Sequence, residues 1–330
     1  MLARLVVRTP FTMIVPDNTQ FNLCTYDDQG YEVTAFPPAR SDLPIHADVP
    51  ESLEANGVPA FVADALRFHF RKDTFDRTRD GPVDPPEEVL RRAVTGLIAR
   101  LRFVTRGAQV SQGTFPQSVW RLRYLNDDES ELDENPALVR GRGGRLWQWS
   151  FVGVDAAIWN DIHSLSPDWI PPRWDDLLLD ATAALPSPGT AVVLAATALE
   201  VFIADILEQL AKHNGMASDL WAWLNHRGDW QKDPSTEEQF DVLLKHFVGH
   251  SLKEDAPLWE AFQNLRKARN KFVHEGSALL GGRAISGTEA ARLVARSQEI
   301  VYQIRDWLPE ELRWPRFNHS LAIAMTVAVT

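Results

Sequence analysis

The chain has 330 residues, a length that points to two domains rather than one or three. With 45% hydrophobic and 24% charged residues it can bury an ordinary core, while a formal net charge of −11 excludes a protein that coats nucleic acid through bulk electrostatics. A single cysteine, Cys24, excludes an intramolecular disulfide and a cysteine-based zinc cluster. The opening residues, MLARLVVRTPFTMIVPDN, lack the charged start, apolar run and cleavage site of a signal peptide. No uninterrupted apolar stretch reaches the roughly 18 residues of a membrane span, Leu321–Val329 being the longest candidate. The expectation is therefore a cytoplasmic protein without a membrane partner.

In chain order, Arg4–Val15 mixes β-branched and apolar residues and predicts a strand, with a turn at Asp17-Asn18. Asp84, Pro85-Pro86 and Glu87-Glu88 precede VLRRAVTGLIARLRFV and predict a helix capped by Asp84. Val119–Leu125 sets Trp120, Leu122 and Tyr124 on one face and Arg121 and Arg123 on the other, the alternation of a half-buried strand. Arg145–Phe151 alternates likewise, so the two segments predict a hairpin. The acidic run Asp127–Glu134 and Gly-Arg-Gly-Gly at 141–144 would form its long, exposed loop. Proline density rises between Ser166 and Pro172, and there the period changes from 2 to 3.6. The fold class expected is α+β: a β-rich domain over 1–168, then an all-α bundle over 169–330 with a short β-like tail.

Six helices are expected in that second half: Arg173–Leu185, Gly189–His213, Met216–Asn225, a capping box at Ser235–Glu238 leading into Phe240–Val248, Pro257–Glu275 and Thr288–Trp307. The tail LAIAMTVAV is suited to adding a strand to the N-terminal sheet of its own or a second chain.

The helix LWEAFQNLRKARNKFVHEG carries the chemistry. At about 100° per residue, Leu258, Phe262, Leu265 and Phe272 fall on one core-facing stripe, and Arg269 falls within it. A guanidinium in an apolar seam needs a partner or a shared cleft. Glu200, in column with Val193 and Leu207 on AVVLAATALEVFIADILEQL, is the matching inward-facing acid, whereas Asp205 points away. Arg266, Lys267, Arg269 and Lys271 give four cations in six residues, suited to phosphates of an RNA substrate. His274 is the one imidazole there, the side-chain type suited to proton transfer near neutrality. Metal-free RNA cleavage needs a base for the ribose 2′-OH and a cation for the phosphorane. His274 and Arg269 could supply these, with Asn270 donating to a phosphate oxygen. On one helix, however, Arg269 and His274 lie about 140° apart. They come together only if the helix unwinds near His274 or if two copies line one cleft.

Arg269-Asn270-Lys271-Phe272-Val273-His274 matches the R-N-x3-H form of the motif of HEPN domains, and TALEVFIADIL is similar to that family's first core helix. The resemblance covers about Trp174–Leu308 and is closest to the Apea-like and abortive-infection branch; the N-terminal half resembles no family. It implies a helical bundle that forms a homodimer around a composite cleft. It also implies metal-independent endoribonuclease activity leaving 2′,3′-cyclic phosphate and 5′-hydroxyl ends, in phage defence or a toxin-like role. Arg269, His274, Asn270 and Glu200 would then be the catalytic set and Arg266, Lys267 and Lys271 the substrate-binding set. No metal or cofactor is expected. The N-terminal domain would serve as a sensor or specificity domain for a trigger ligand.

Blander readings stand beside these. Arg269 and Glu200 could be a structural pair, His274 a cation favoured by a helix C-terminus, and Lys267 and Lys271 a solvated face. His246 and His250 stand at i,i+4 without an evident third metal ligand. Trp221 and Trp223 read as core and rim, Cys24 as an incidental thiol, and Arg140–Arg145 as surface loop. The rival function is a non-catalytic module binding a protein, nucleotide or RNA.

Overall fold

A computed structural model of the chain describes residues 2–40, 52–75, 84–110, 119–130, 138–140, 151–225 and 233–326. The fold is α+β, with an N-terminal antiparallel sheet followed by a mostly helical part. Two compact units are present, Met1–Pro171 together with Phe317–Thr330, and Pro172–Arg316.

The first unit contains β1 (Leu2–Pro16), β2 (Cys24–Asp28), β3 (Tyr31–Ala39), β4 (Ser52–Ala55), β5 (Val58–Arg71), α1 (Glu87–Thr105), β6 (Trp120–Leu125), β7 (Leu138–Arg140), β8 (Phe151–Gly153) and α2 (Ala156–Ser164). The second contains α3 (Arg173–Ala183), α4 (Pro188–His213), α5 (Ser218–Asn225), α6 (Thr236–Glu238), α7 (Leu244–Val248), α8 (Ala256–Glu275), the two-residue strands β9 (Leu279–Leu280) and β10 (Arg283–Ala284), and α9 (Gly287–Trp307). The chain then returns to the first unit as β11 (Ile323–Thr326), which pairs antiparallel with β4. The tail, counted with the helical half by its place in the chain, thus adds a strand to the sheet of its own chain, one of the two placements its sequence suited.

β1 lies at the sheet's centre, antiparallel to β5 on one side and β6 on the other. Alternation sorts its side chains. Ala3, Leu5 and Val7 are buried with Phe70, Phe68 and Leu66 of β5 and with Tyr124, Leu122 and Trp120 of β6. The opposite face carries Arg4 and Arg8. β6 pairs with β1 and β7 rather than in the expected hairpin, and Phe151 at the head of β8 runs parallel to Thr12 of β1. Residues 131–137 and 141–150, which hold the end of the acidic run, the glycine turn and most of the second expected strand, lie outside the described residues.

Asp84 does not cap α1. Pro86 occupies the N-cap position without a side-chain bond, and Asp84, two residues upstream, accepts a hydrogen bond from the Tyr31 hydroxyl. The Asp84 carbonyl accepts from the Tyr124 hydroxyl at 2.8 Å, tying the helix start to both flanks of the sheet. Arg100 of α1 is 2% exposed and donates to the Ser166 carbonyl at 3.0 Å. Burial lowers its pKa, and burial likewise raises the pKa of neighbouring Tyr26 to about 12. The Cys24 thiol is also pushed up by burial, against the opposing charge of Arg100.

His69 of β5 is 5% exposed, and burial lowers its pKa to about 4, with Arg4, Arg67 and Arg71 acting in the same sense and Glu129 opposing them. Its Nε2 accepts from Arg4 Nε at 3.0 Å, which requires the neutral Nδ1–H tautomer. The unfolded chain takes this proton first as pH falls, so the stabilisation is complete above about pH 6.5 and lost on the way down to pH 4. The expected loss is on the order of 1–3 kcal/mol. His163, also depressed to about 4 by burial, adds to it with the same sign. Thermal melts of wild type and His69→Gln between pH 7 and 4.5 check this: the variant should lose less Tm across the window, and identical falls would remove His69 from the account.

In the second unit, α4 is the central helix. Ala191, Ala195, Leu199, Phe202, Ile206 and Leu210 lie in a core completed by Trp174 of α3, Phe262 and Leu265 of α8, and Ile300 and Ile304 of α9. Its length and hydropathy would suit a membrane span, a weak indication that the core helix of any helical unit can give. Two capping boxes set helix starts, Ser235 with Glu238 before α6 and Ser286 with Glu289 before α9. The apolar run Phe240–Val248 begins as a π-helical turn, Gln239–Leu243, before α7.

Candidate active site

α8 begins at Asp255, whose side chain accepts from the Leu258 N–H at 3.0 Å, and it has Pro257 in its first turn. It runs without interruption through His274 and ends at Gly276, which adopts a left-handed φ of 72° while its N–H donates to the Phe272 carbonyl. The helix therefore does not unwind near His274, and residues 269 and 274 keep the angular separation that helix geometry imposes.

The candidate residues accordingly divide between two faces. Lys267, Asn270, Lys271 and His274, spaced at i, i+3, i+4 and i+7, line one open groove of about 490 Å³ together with Glu275 and the β9–β10 hairpin. Arg269 does not line it. Its guanidinium turns to α4, where Nη2 stands 3.8 Å from a Glu200 carboxylate oxygen. The two side chains are 31% and 36% exposed. The pair thus sits at the half-open margin of the seam and not inside it, a correction to the inward placement drawn from the helical wheel. Arg269 Nη1 also donates to Asn270 Oδ1 at 3.1 Å, while its Nε is buried without a hydrogen-bond partner among the described residues. Asn270 therefore bridges the two faces, its side chain touching Arg269 and lining the groove.

The remaining cations differ in availability. Arg266 is bonded to Glu237 ahead of the π-helical turn and covers the Phe262 ring at 5.5 Å, so it is a structural cation. Lys271 holds Glu275 one turn on, an exposed i,i+4 pair that contributes little to stability and can open to a ligand. Lys267 and His274 make no side-chain hydrogen bond or ion pair among the described residues, and both are exposed. The groove therefore presents an unengaged imidazole, one unengaged ammonium and a second ammonium held only by a surface glutamate.

The groove's far wall was not anticipated. Leu279, Leu280, Gly281 and Gly282 form a two-residue hairpin in which both glycines take positive φ, 60° and 80°. A turn of that hand favours glycine at both positions. The Gly-Gly pair between Leu-Leu and Arg-Ala was the available signal. His250 of the His246/His250 pair stacks on Trp307 at 5.3 Å and lies 3.5 Å from Glu254. Among the described residues no group of three or more His, Cys, Asp or Glu is placed to hold a metal ion. Trp221 packs edge-on against Phe247, and Trp223 is exposed. Comparison with family models, curated proteins and solved structures finds no match.

Proposed function

We propose that the chain is a metal-independent endoribonuclease of the HEPN type that acts as a homodimer in phage defence or as a toxin. The observation that carries this reading is the groove on α8, where His274 lies unengaged beside three groups suited to phosphate, Lys267, Asn270 and Lys271. His274 takes the proton of the ribose 2′-OH, the 2′ oxygen attacks phosphorus, and the P–O5′ bond breaks. The proton returns to the departing 5′ oxygen, leaving a 2′,3′-cyclic phosphate and a 5′-hydroxyl. Arg269 stabilises the phosphorane charge from a second copy packed against the groove, and Glu200 orients that guanidinium. The N-terminal unit would hold the trigger that releases activity.

One observation favours the rival reading, a non-catalytic module that binds a protein, nucleotide or RNA. Arg269 is held by Glu200 outside the groove lining, so a single copy brings only Lys267 and Lys271, and not the Arg269 guanidinium, next to His274. Incubating RNA with the protein in EDTA and mapping the product ends separates the two. Cyclic phosphates that vanish in His274→Ala and Arg269→Ala support the nuclease; binding that both variants retain, without cleavage, supports the module.

A further inference from the structure

The groove on α8 is divided by charge. One part is cationic: Lys267, Asn270 and Lys271 are exposed along the helix, with the two lysines about 6 Å apart along its axis. The other part is neutral. Leu279 and Leu280 are half-buried there, and Gly281 and Gly282 form the exposed turn between β9 and β10. Arg283, the residue after that turn, is held through both terminal nitrogens by Glu289 and does not line the groove. His274 and Glu275, in the last turn of α8, come between the two parts in chain order.

Three features fix where a phosphate sits. A guanidinium only donates, so the bond from Arg269 commits Asn270 Oδ1 and leaves the Nδ2 amide to donate to a ligand oxygen. The carbonyl end of α8 carries partial negative charge, which disfavours an anion in the last turn and favours one further back, between the lysines. Lys271 and its partner Glu275 are both about half exposed, a pair of the kind that yields to a better anion. The neutral part of a nucleotide, its ribose and base, is then left to the helix end and the hairpin. The space over the turn is open: a Cβ on Gly281 or Gly282 would meet no atom of the described residues within 4 Å.

We infer that the β9–β10 hairpin seats the base of the nucleotide on the 5′ side of the scissile phosphate, with that phosphate on Asn270 and Lys271 and the next one on Lys267. The inference rests on the reading of the groove as an RNA site, and it gives the strand a direction. The 5′ side lies at the hairpin and the 3′ side runs back toward the start of α8. The ribose between base and phosphate then brings its 2′-OH to His274, about 4.5 Å beyond Lys271 along the axis. Leu279 and Leu280 supply apolar contact, and the glycines add only main-chain groups, so the seat takes an unpaired base without side-chain readout of its identity.

The probe is adenosine 3′-phosphate, which carries base, ribose and phosphate in the inferred order and has no phosphodiester to cut. Adenosine 5′-phosphate has the same groups and charge in the opposite order, and inorganic phosphate lacks the nucleoside. Titrations of the full-length protein, followed by the amide resonances of Gly281 and Gly282, give the three dissociation constants. The 3′-phosphate should shift both amides and bind about tenfold more tightly than inorganic phosphate, the gain from covering on the order of 60 Å² of apolar surface. It should also bind more tightly than the 5′ isomer. Gly281→Asn retains the turn, since asparagine is favoured at its first position, but puts a side chain into the space meant for the base. In that variant, followed through Gly282, the affinities for adenosine 3′-phosphate and inorganic phosphate should converge. Leu280→Ala, read in the same way, replaces it if melting curves show that Gly281→Asn does not fold. No shift of either glycine in wild type would overturn the inference. So would equal affinity for inorganic phosphate, binding of the 5′ isomer as tight as that of the 3′ isomer, or an unchanged preference in the folded variants. RNA cleavage in EDTA without this preference would leave the nuclease reading standing and remove the hairpin seat, whereas the preference without cleavage would keep the seat and remove the catalysis.

Discussion

His274→Ala is expected to lower RNA cleavage by about 10²–10⁴-fold, the contribution of a positioned general acid–base, without a measurable change in Tm. The stability half of that expectation follows from exposure: the side chain contacts no partner whose loss would leave a buried group unsatisfied. Arg269→Ala should cost about 10²–10³-fold, as removal of a charge-stabilising donor does. Arg269→Lys should recover little, because the ammonium cannot both meet Glu200 and present a fork to a phosphorane. A folded His274→Ala protein that cuts at the wild-type rate would sink the catalytic assignment.

The separation of Arg269 from the groove turns the same variants into a test of assembly. If each cleft takes its imidazole from one copy and its guanidinium from another, a mixture of the two inactive variants contains heterodimers with one cleft complete and one cleft lacking both groups. Cleavage should return on mixing, toward a fraction of the wild-type rate set by the heterodimer population. If each cleft instead drew both groups from one chain, mixing would restore nothing. Complementation therefore decides between a composite cleft and a self-contained one, and failure of complementation with cleavage intact in wild type would require α8 to rearrange in the active form.

The change of period near residue 170, the helix ends at Val248 and Glu275 and the approach of Arg269 to Glu200 were all legible, because each rests on local periodicity or on two charged residues set against apolar faces. How open that pair stands was not, since a helical wheel gives direction but not the distance to the rim of the seam. The β9–β10 hairpin escaped because two-residue strands are too short to show alternation; only its Gly-Gly turn marked it. Asp84 was misassigned by two positions, as the Pro-Pro step places Pro86, not the aspartate, at the cap. Alternation put Arg121 and Arg123 on one side of β6, but that β1 and β5 bring Arg4, Arg8, Arg67 and Arg71 to the same side of the sheet depends on strand order, which no local pattern encodes.

Gly189→Ala is expected to destabilise the helical unit by about 1–3 kcal/mol and to reduce cleavage well below its new Tm. Gly189 sits in the first turn of α4, and a Cβ there would lie 2.2 Å from Phe272 Cε2 and 2.5 Å from Cδ2. Those atoms belong to a ring, which cannot fold aside as a flexible chain end would, so either the ring leaves its rotamer or α8 moves away from α4. Phe272 lies between Lys271 and His274, and its carbonyl accepts the Gly276 cap bond, so a displaced ring carries the last turn with it. A shift of about 1 Å at a reacting group can cost 10²-fold in rate. Shortening the obstacle should undo the effect: Gly189→Ala/Phe272→Leu should regain most of the Tm and part of the rate, although Phe272→Leu alone loses some packing. A fall in Tm with unchanged cleavage would show that this contact holds the bundle but does not position His274. No fall in either would mean that α4 yields at its first turn and that α8 is aligned elsewhere along the seam.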